Sequence, residues 1–351
     1  MLHNRAIMLP AIFGLSGPVL TADERAFFRE ADPAGYILFA RNVVDRAQLR
    51  ALTDDLRALH GRERLLICID QEGGRVVRMP PPMWGPYPPQ AVFDRLYDLA
   101  PVSAIEAARA NAEALGLDLA EAGISVDCLP LLDVRQPGAA DVIGDRALGS
   151  EPLRVAALGR AVLDGLARAG VTGVVKHIPG HGRATADSHQ HLPTVTASAA
   201  ELETDLAPFR SLSGASGGAE AKVAMTAHVR FVAWDDAAPA TLSARVIAEV
   251  VRGAIGFSGL LLSDDLDMAA LTGTIPARAA RALAAGCDIA LNCWARMDDM
   301  HGIAAALPPM GAVAAARLAR ALAETDIAPA DAAARRAALV ARRDALLALV
   351  P

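Results

Sequence analysis

The chain has 351 residues, 53% of them hydrophobic and only 4% aromatic, with a formal net charge of −6. That balance, with no run of Lys or Arg, excludes a nucleic-acid binder driven by phosphate neutralisation. No stretch approaches the roughly 20 uninterrupted apolar residues of a membrane helix.

One unit repeats along the chain: an apolar run, a polar loop, then an amphipathic stretch. The first run spans residues 6–13. The residues before it, with His3, Asn4 and Arg5, lack the apolar length and cleavage site of an export signal. Thr21-Ala-Asp-Glu24 then reads as a capping box opening a helix. The second run is 35–39, after which Asp45 can cap a helix through His60, with Gly61 as its stop. The later runs are 65–69, 124–129, 173–176, 222–226, 259–263 and 287–291. Helical patterns at 104–122, 153–169 and 244–255 lie between them. Eight strands alternating with helices predict a closed parallel (β/α)8 barrel. An open doubly wound sheet competes, but no Gly-x-Gly-x-x-Gly and no P-loop is present. The Ala- and Arg-rich segment 310–351 reads as terminal helices packed on the barrel, so that residues 1–351 form one catalytic domain.

Cys68, Cys128, Cys287 and Cys293 are scattered without a Cys-x-x-Cys pair, and read as free, reduced thiols of a cytoplasmic protein. Two loops are long. Residues 80–89 hold six prolines with Trp84 and Tyr87, and 178–196 is rich in Gly and His; long loops in compact domains are often functional.

In such a barrel the chemistry sits at the C-terminal ends of the strands, and polar groups collect there. Asp70 follows the third run, with Glu72, Arg75 and Arg78 close behind. Asp133 follows the fourth, and Lys176 and His177 end the fifth. His228 follows the sixth, Asp264 and Asp265 the seventh, and Asn292 the eighth. The densest segment, 176–191, carries four histidines. Within it Asp187 can accept from one ring nitrogen of His189, fixing its tautomer and raising its basicity; such a pair suits acid/base work. A metal site built from His177, His181, His189 and His191 is the rival reading, without the support of a His-Glu-x-x-His pattern or a Cys ligand. An ordinary polar loop is the third.

Lys176-His-Ile-Pro-Gly-His-Gly followed by Asp187-Ser-His resembles the signature of family 3 glycoside hydrolases, in particular the bacterial cytoplasmic β-N-acetylglucosaminidases among them. Asp70-Gln-Glu-Gly-Gly-Arg-Val-Val-Arg78, Ile143-Gly-Asp-Arg146 and Leu262-Ser-Asp-Asp-Leu-Asp-Met268 match further segments of that family. The resemblance implies Asp264 as nucleophile, Asp187 and His189 as the acid/base dyad, and Asp70, Arg78, Arg146, Lys176 and His177 as ligands of the terminal sugar. It implies no cofactor and no metal. Ile178 stands where the family usually has Phe, and Arg183 where many members carry Asp; Arg183 is a candidate either for altered loop contacts or for contact with an anionic aglycone.

A retaining glycosidase needs a carboxylate on one face of the sugar and a proton donor on the other. Asp264 can form a covalent glycosyl-enzyme while His189 protonates the leaving oxygen and then deprotonates water. Asp265 and Asp267 rival Asp264, but neighbours along a strand point to opposite sides, and Asp265 is expected to cap the following turn. A neutral imidazole repels an anion less than a carboxylate would, so phosphorolysis is the alternative outcome. By resemblance the substrate is a small carbohydrate, a peptidoglycan fragment in which GlcNAc is β-1,4-linked to anhydro-MurNAc with or without peptide, and the enzyme is expected to act as a monomer. A metal-dependent barrel hydrolase and a non-catalytic sugar-binding barrel are the other classes; chelator sensitivity and loss of a catalytic group would mark them.

Overall fold

The computed structural model describes residues 8–214, 220–325 and 331–350. Its strands are β1 (Leu9–Gly14), β2 (Pro33–Leu38), β3 (Leu66–Ile69), β4 (Val126–Asp127), β5 (Thr172–Ile178), β6 (Thr194–Val195), β7 (Val223–Thr226), β8 (Arg230–Phe231), β9 (Leu260–Asp265) and β10 (Ile289–Asn292). All but β6 and β8 close into one parallel barrel in chain order, with β10 returning to β1. β6 and β8 pair outside it. The eight expected runs therefore become the eight barrel strands. Their bounds shift: the fourth narrows to two residues, and the fifth runs on to Ile178. Ala6 and Ile7 of the first run lie outside the described residues.

Strand alternation sorts the core into two layers. Ile12, Ile37, Leu66, Val126, Val174, Leu260 and Leu262 fill the barrel interior together with Cys68 and Cys128. The intervening Phe13, Tyr36, Ile67 and Leu261 face outward and pack under the helices. All four cysteines are free and buried.

Thr21 and Glu24 form a reciprocal capping box at the start of α1 (Ala22–Ala31). Asp45 accepts from the Gln48 N–H at the start of α2 (Arg46–His60), and Gly61 ends that helix in the left-handed region. α3 (Ala91–Leu99) was not legible as a separate helix, because its nine residues bury only Phe93 and Leu96. Pro101 opens α4 (Pro101–Glu121), three residues before the expected start. α5 (Pro152–Arg168) and α6 (Ala199–Ser213) follow. The stretch expected as helix at 244–255 is a π-helix, Val246–Ala254. α7 (Ile275–Ala285), α8 (Met297–Ala306), α9 (Ala312–Ala321) and α10 (Ala332–Leu347) complete the shell. Within the expected terminal segment, residues 326–330 and Pro351 lie outside the described residues. α10 packs on α4, where its buried Arg343 donates to Asn111 Oδ1 and Arg336 pairs with Asp118. No helix among the described residues is long and apolar enough to cross a membrane.

The proline-rich loop is a brace. Trp84 and Tyr87 are buried, and the Tyr87 hydroxyl donates to Asp118 on α4. Its other side supports the Asp70–Arg78 turn, because the Gly74 N–H donates to the Tyr87 carbonyl and a Cβ on Gly73 would lie 2.4 Å from the Pro88 carbonyl oxygen.

Candidate active site

The floor of the site is an ion network. Lys176, near the end of β5, is 2% exposed and lies 2.8 Å from Asp70 Oδ1 and 2.7 Å from Glu72 Oε1. Arg146 grips Glu72 with two 2.7 Å hydrogen bonds. Arg78 lies 3.6 Å from the other Asp70 oxygen and its guanidinium sits over the Phe39 ring. Charges this deep persist only when paired. Burial opposes the ammonium of Lys176, but Asp70 and Glu72 outweigh it and raise its pKa. Burial likewise opposes the Glu72 carboxylate, yet Lys176 and Arg146 hold it down at about 2. Gln71 sets the turn: its Oε1 accepts from the Arg78 and Met79 N–H groups, while its own N–H donates to Asp127.

Asp133 is a second hub. Its Oδ2 is 2.8 Å from His177 Nδ1, and its Oδ1 accepts from the backbone N–H groups of His177 and His181. Burial opposes its ionisation, but His177 and His181 keep its pKa at about 2. The His181 ring is buried, and its Nε2 is 3.2 Å from Ser188 Oγ.

These depressed carboxylates predict acid lability. Asp133 and Glu72 sit at about 2 when folded, below their ordinary 3.8 and 4.5. A carboxyl group depressed by folding stabilises above its unfolded pKa, and that stability disappears as pH falls through the folded value. The contribution of these two groups to the unfolding free energy should therefore be flat from pH 7 to 5 and fall between roughly pH 4.5 and 2, by about 2–3.5 kcal/mol for each. Urea titrations across that range check it. Asp133→Asn should be less stable at pH 7 and lose less in acid; an identical pH slope in the variant would refute the assignment.

Asp264 is the penultimate residue of β9, its N–H donating to Thr226 and its Oδ1 accepting from the Asp265 N–H. Burial raises its pKa, but the His228 and His177 imidazoles and the Asp265 N–H more than reverse this, leaving it below the ordinary carboxylate value. Asp265 goes the other way: burial and then Asp267 push it up. Its Oδ1 accepts from the Asp267 N–H, the turn-capping role expected of it. Asp267 is spent on structure, accepting from Asn292 Nδ2 at 2.6 Å and pairing with Arg296. His228 Nε2 is 2.9 Å from the Asp265 carbonyl, to which it must donate, and its Nδ1 is 2.7 Å from Thr241 Oγ1. Burial lowers the pKa of this ring.

His189 lies on the 178–196 loop, its side chain 64% exposed and its Nδ1 2.8 Å from Asp187 Oδ1. Asp187 is opposed by partial burial but lowered by the His189 N–H and ring. Arg183 is tied to α6: it donates to Asp205 Oδ2 at 2.7 Å and to the Glu201 carbonyl. Two close approaches shape the stem of this loop. Gly180 has φ +138°, and a Cβ on Gly182 would lie 2.0 Å from the Val134 carbonyl oxygen.

Asp70, Arg78, Arg146, Lys176, His177, His189 and Asp264 line one cavity of about 180 Å³ at the C-terminal end of the barrel, and Asp187 stands behind His189. The four histidines do not converge. His177, His181 and His189 are engaged with Asp133, Ser188 and Asp187, and His191 is exposed away from the cavity. Among the described residues no three ligand-type side chains are grouped to hold a metal ion. Ser188 was given no role by the sequence and His181 only a place in the rival metal site; Glu72, Asp133 and His228 showed only as polar groups at strand ends.

Residues 17–324 match the model of the glycosyl hydrolase family 3 N-terminal domain. The chain belongs to glycosyl hydrolase family 3. It is thus a glycoside hydrolase on a (β/α)8 barrel. Among its relatives in this family, the β-hexosaminidase of Bordetella avium is 39% identical over 81% of this chain and 80% of its own. The β-hexosaminidase of Alkalilimnicola ehrlichii is 41% identical over the same shares. NagZ from Neisseria gonorrhoeae, solved with N-trifluoroacetyl-D-glucosamine, superposes with a TM-score of 0.85 at 32% identity, covering 98% of both chains.

Proposed function

We propose that this family 3 enzyme is a retaining exo-β-N-acetylglucosaminidase, working by double displacement. The observation that carries the reading is the pairing of Asp264, held as an anion, with an Asp187-oriented His189 on the wall of one closed-floored cavity. Its volume, about 180 Å³, equals roughly six waters, the scale of one sugar ring; the Lys176–Glu72 network blocks anything deeper. Asp264 attacks C1 as the C1–O bond breaks, and the leaving oxygen takes a proton from His189 Nε2. Neutral His189 then removes a proton from water, which attacks C1 and releases Asp264. Asp70, Arg78, Arg146, Lys176 and His177 bind the terminal sugar, Asp70 through its hydroxyls.

The names of the relatives support the N-acetyl preference. The substrate we favour is a peptidoglycan fragment ending in β-linked GlcNAc on anhydro-MurNAc, with or without peptide, cleaved in the cytoplasm by a monomer acting as one catalytic domain.

The test is release of 4-nitrophenol from its β-N-acetylglucosaminide and its β-glucoside, with a chelator throughout. Chelator-resistant cleavage that favours the N-acetyl sugar is expected. Preference for the glucoside, or loss of activity with chelator, would overturn the reading. Run in concentrated phosphate, the same reaction should yield free sugar; a sugar 1-phosphate product would replace hydrolysis by phosphorolysis.

A further inference from the structure

We propose that His181, acting through Ser188, is a positioning residue for the acid/base histidine. The inference rests on the reading of His189 as that acid/base.

The loop tip has an unusual burial pattern. Its side chains at 187 and 189 are 34% and 64% exposed, yet Ser188 between them is 3% exposed. The chain dips this one small residue inward, and two contacts receive it. Its Oγ lies 3.2 Å from His181 Nε2, on the stem that leaves β5. Its carbonyl accepts from the Ala270 N–H, on the turn that leaves β9 and Asp264. Ser188 thus ties the acid/base loop to the wall carrying the nucleophile and to the stem beside the sugar ligands.

The anchor on the stem side is rigid. The His181 N–H donates to Asp133 at 2.7 Å, and the His181 ring packs edge-on against His177, itself held by Asp133. Among the described residues the ring makes no other side-chain hydrogen bond, and Nδ1 is buried without a protein partner. Burial, then His177, lowers its pKa to about 4, so at neutral pH Nε2 can accept the Ser188 hydroxyl proton. The remaining ties of His189 are the Asp187 contacts and one long bond from the Ala269 N–H to its carbonyl. Asp187 orients the ring, but it lies on the same long loop and cannot by itself place that loop over the cavity. The fixed point is His181.

A misplaced general acid harms most those substrates whose leaving group needs the proton. The experiment measures kcat/KM for aryl β-N-acetylglucosaminides from 2,4-dinitrophenyl to phenyl, with wild type, Ser188→Ala, Ser188→Thr, His181→Gln and His189→Ala. Ser188→Ala should lose about tenfold on the phenyl substrate and less than about twofold on the dinitrophenyl one. Ser188→Thr, which keeps the hydroxyl, and His181→Gln, which keeps a polar atom near Nε2, should recover much of the loss. Inhibition by N-acetylglucosamine should be unchanged in Ser188→Ala. An equal loss across the series, or none, while His189→Ala steepens it, would overturn the positioning role and leave His189 as acid/base. A flat series in His189→Ala would overturn both.

Discussion

Asp264→Asn is expected to lower kcat by about 10⁴-fold or more, close to 5.4 kcal/mol of transition-state stabilisation, while N-acetylglucosamine still binds within a few-fold. The amide fills the same space and can still accept from the Asp265 N–H, but it cannot attack C1. The neighbouring carboxyls sharpen the prediction. Asp264 is pulled below its ordinary pKa and Asp265 pushed above it. Environments that drive two adjacent acids apart assign their roles: the one kept ionised is the nucleophile. Asp265→Asn should therefore retain activity within about tenfold, because its Oδ1 accepts from the Asp267 and Cys293 N–H groups, as an amide oxygen also can. Steady-state kinetics on both variants, with mass spectrometry of wild type after a slow-hydrolysing fluorosugar, check this. Full activity in Asp264→Asn, or a glycosyl adduct on Asp265, would reassign the nucleophile.

The second large effect is expected on stability. Lys176→Met would leave Asp70 and Glu72 facing each other with their shared cation gone. Arg146 would still serve Glu72, and Arg78 would remain near Asp70. Removing one partner from a buried ion pair typically costs about 3–5 kcal/mol, because the surviving charge is stranded. At about 2.1 cal/mol/K of unfolding entropy per residue, that corresponds to a fall in Tm of about 5 °C for a chain of this length. Adding Glu72→Gln removes one of the two facing carboxylates but takes the counter-charge from Arg146, so the double variant should lose less than the sum of the two single losses. Scanning calorimetry of wild type, both single variants and the double variant gives the coupling. Strictly additive losses would mean that the two side chains do not share the network.

The barrel was legible because its signals are local. Each strand is a run of apolar residues that alternates between interior and shell, as Tyr36 and Ile37 do on β2. The helix starts at Thr21 and Asp45 were equally legible, since a cap is made by side chains within three residues of the N–H they serve. α3, the π-helical turn and the β6–β8 pair escaped. Two-residue strands leave no periodic pattern, and π-helical widening depends on packing against neighbours rather than on composition.

The site divides along the same line. By itself the sequence determined which residues stand at the C-terminal ends of the strands, because an apolar run followed by Asp70, Asp133, Lys176, His228 or Asp264 announces itself. It also determined the Asp187–His189 pair, two residues apart on one loop. Only the tertiary structure decided what those groups do to one another. Glu72 meets Lys176 across 104 positions of chain, and Asp133 meets His177 and His181 across more than 40. Arg183, read in sequence as altering loop contacts or meeting an anionic aglycone, is joined to Asp205 on α6. Residue types and spacing set what a side chain can donate or accept; burial and the charges brought beside it by barrel closure set its protonation state, and those exist only once the strands have met.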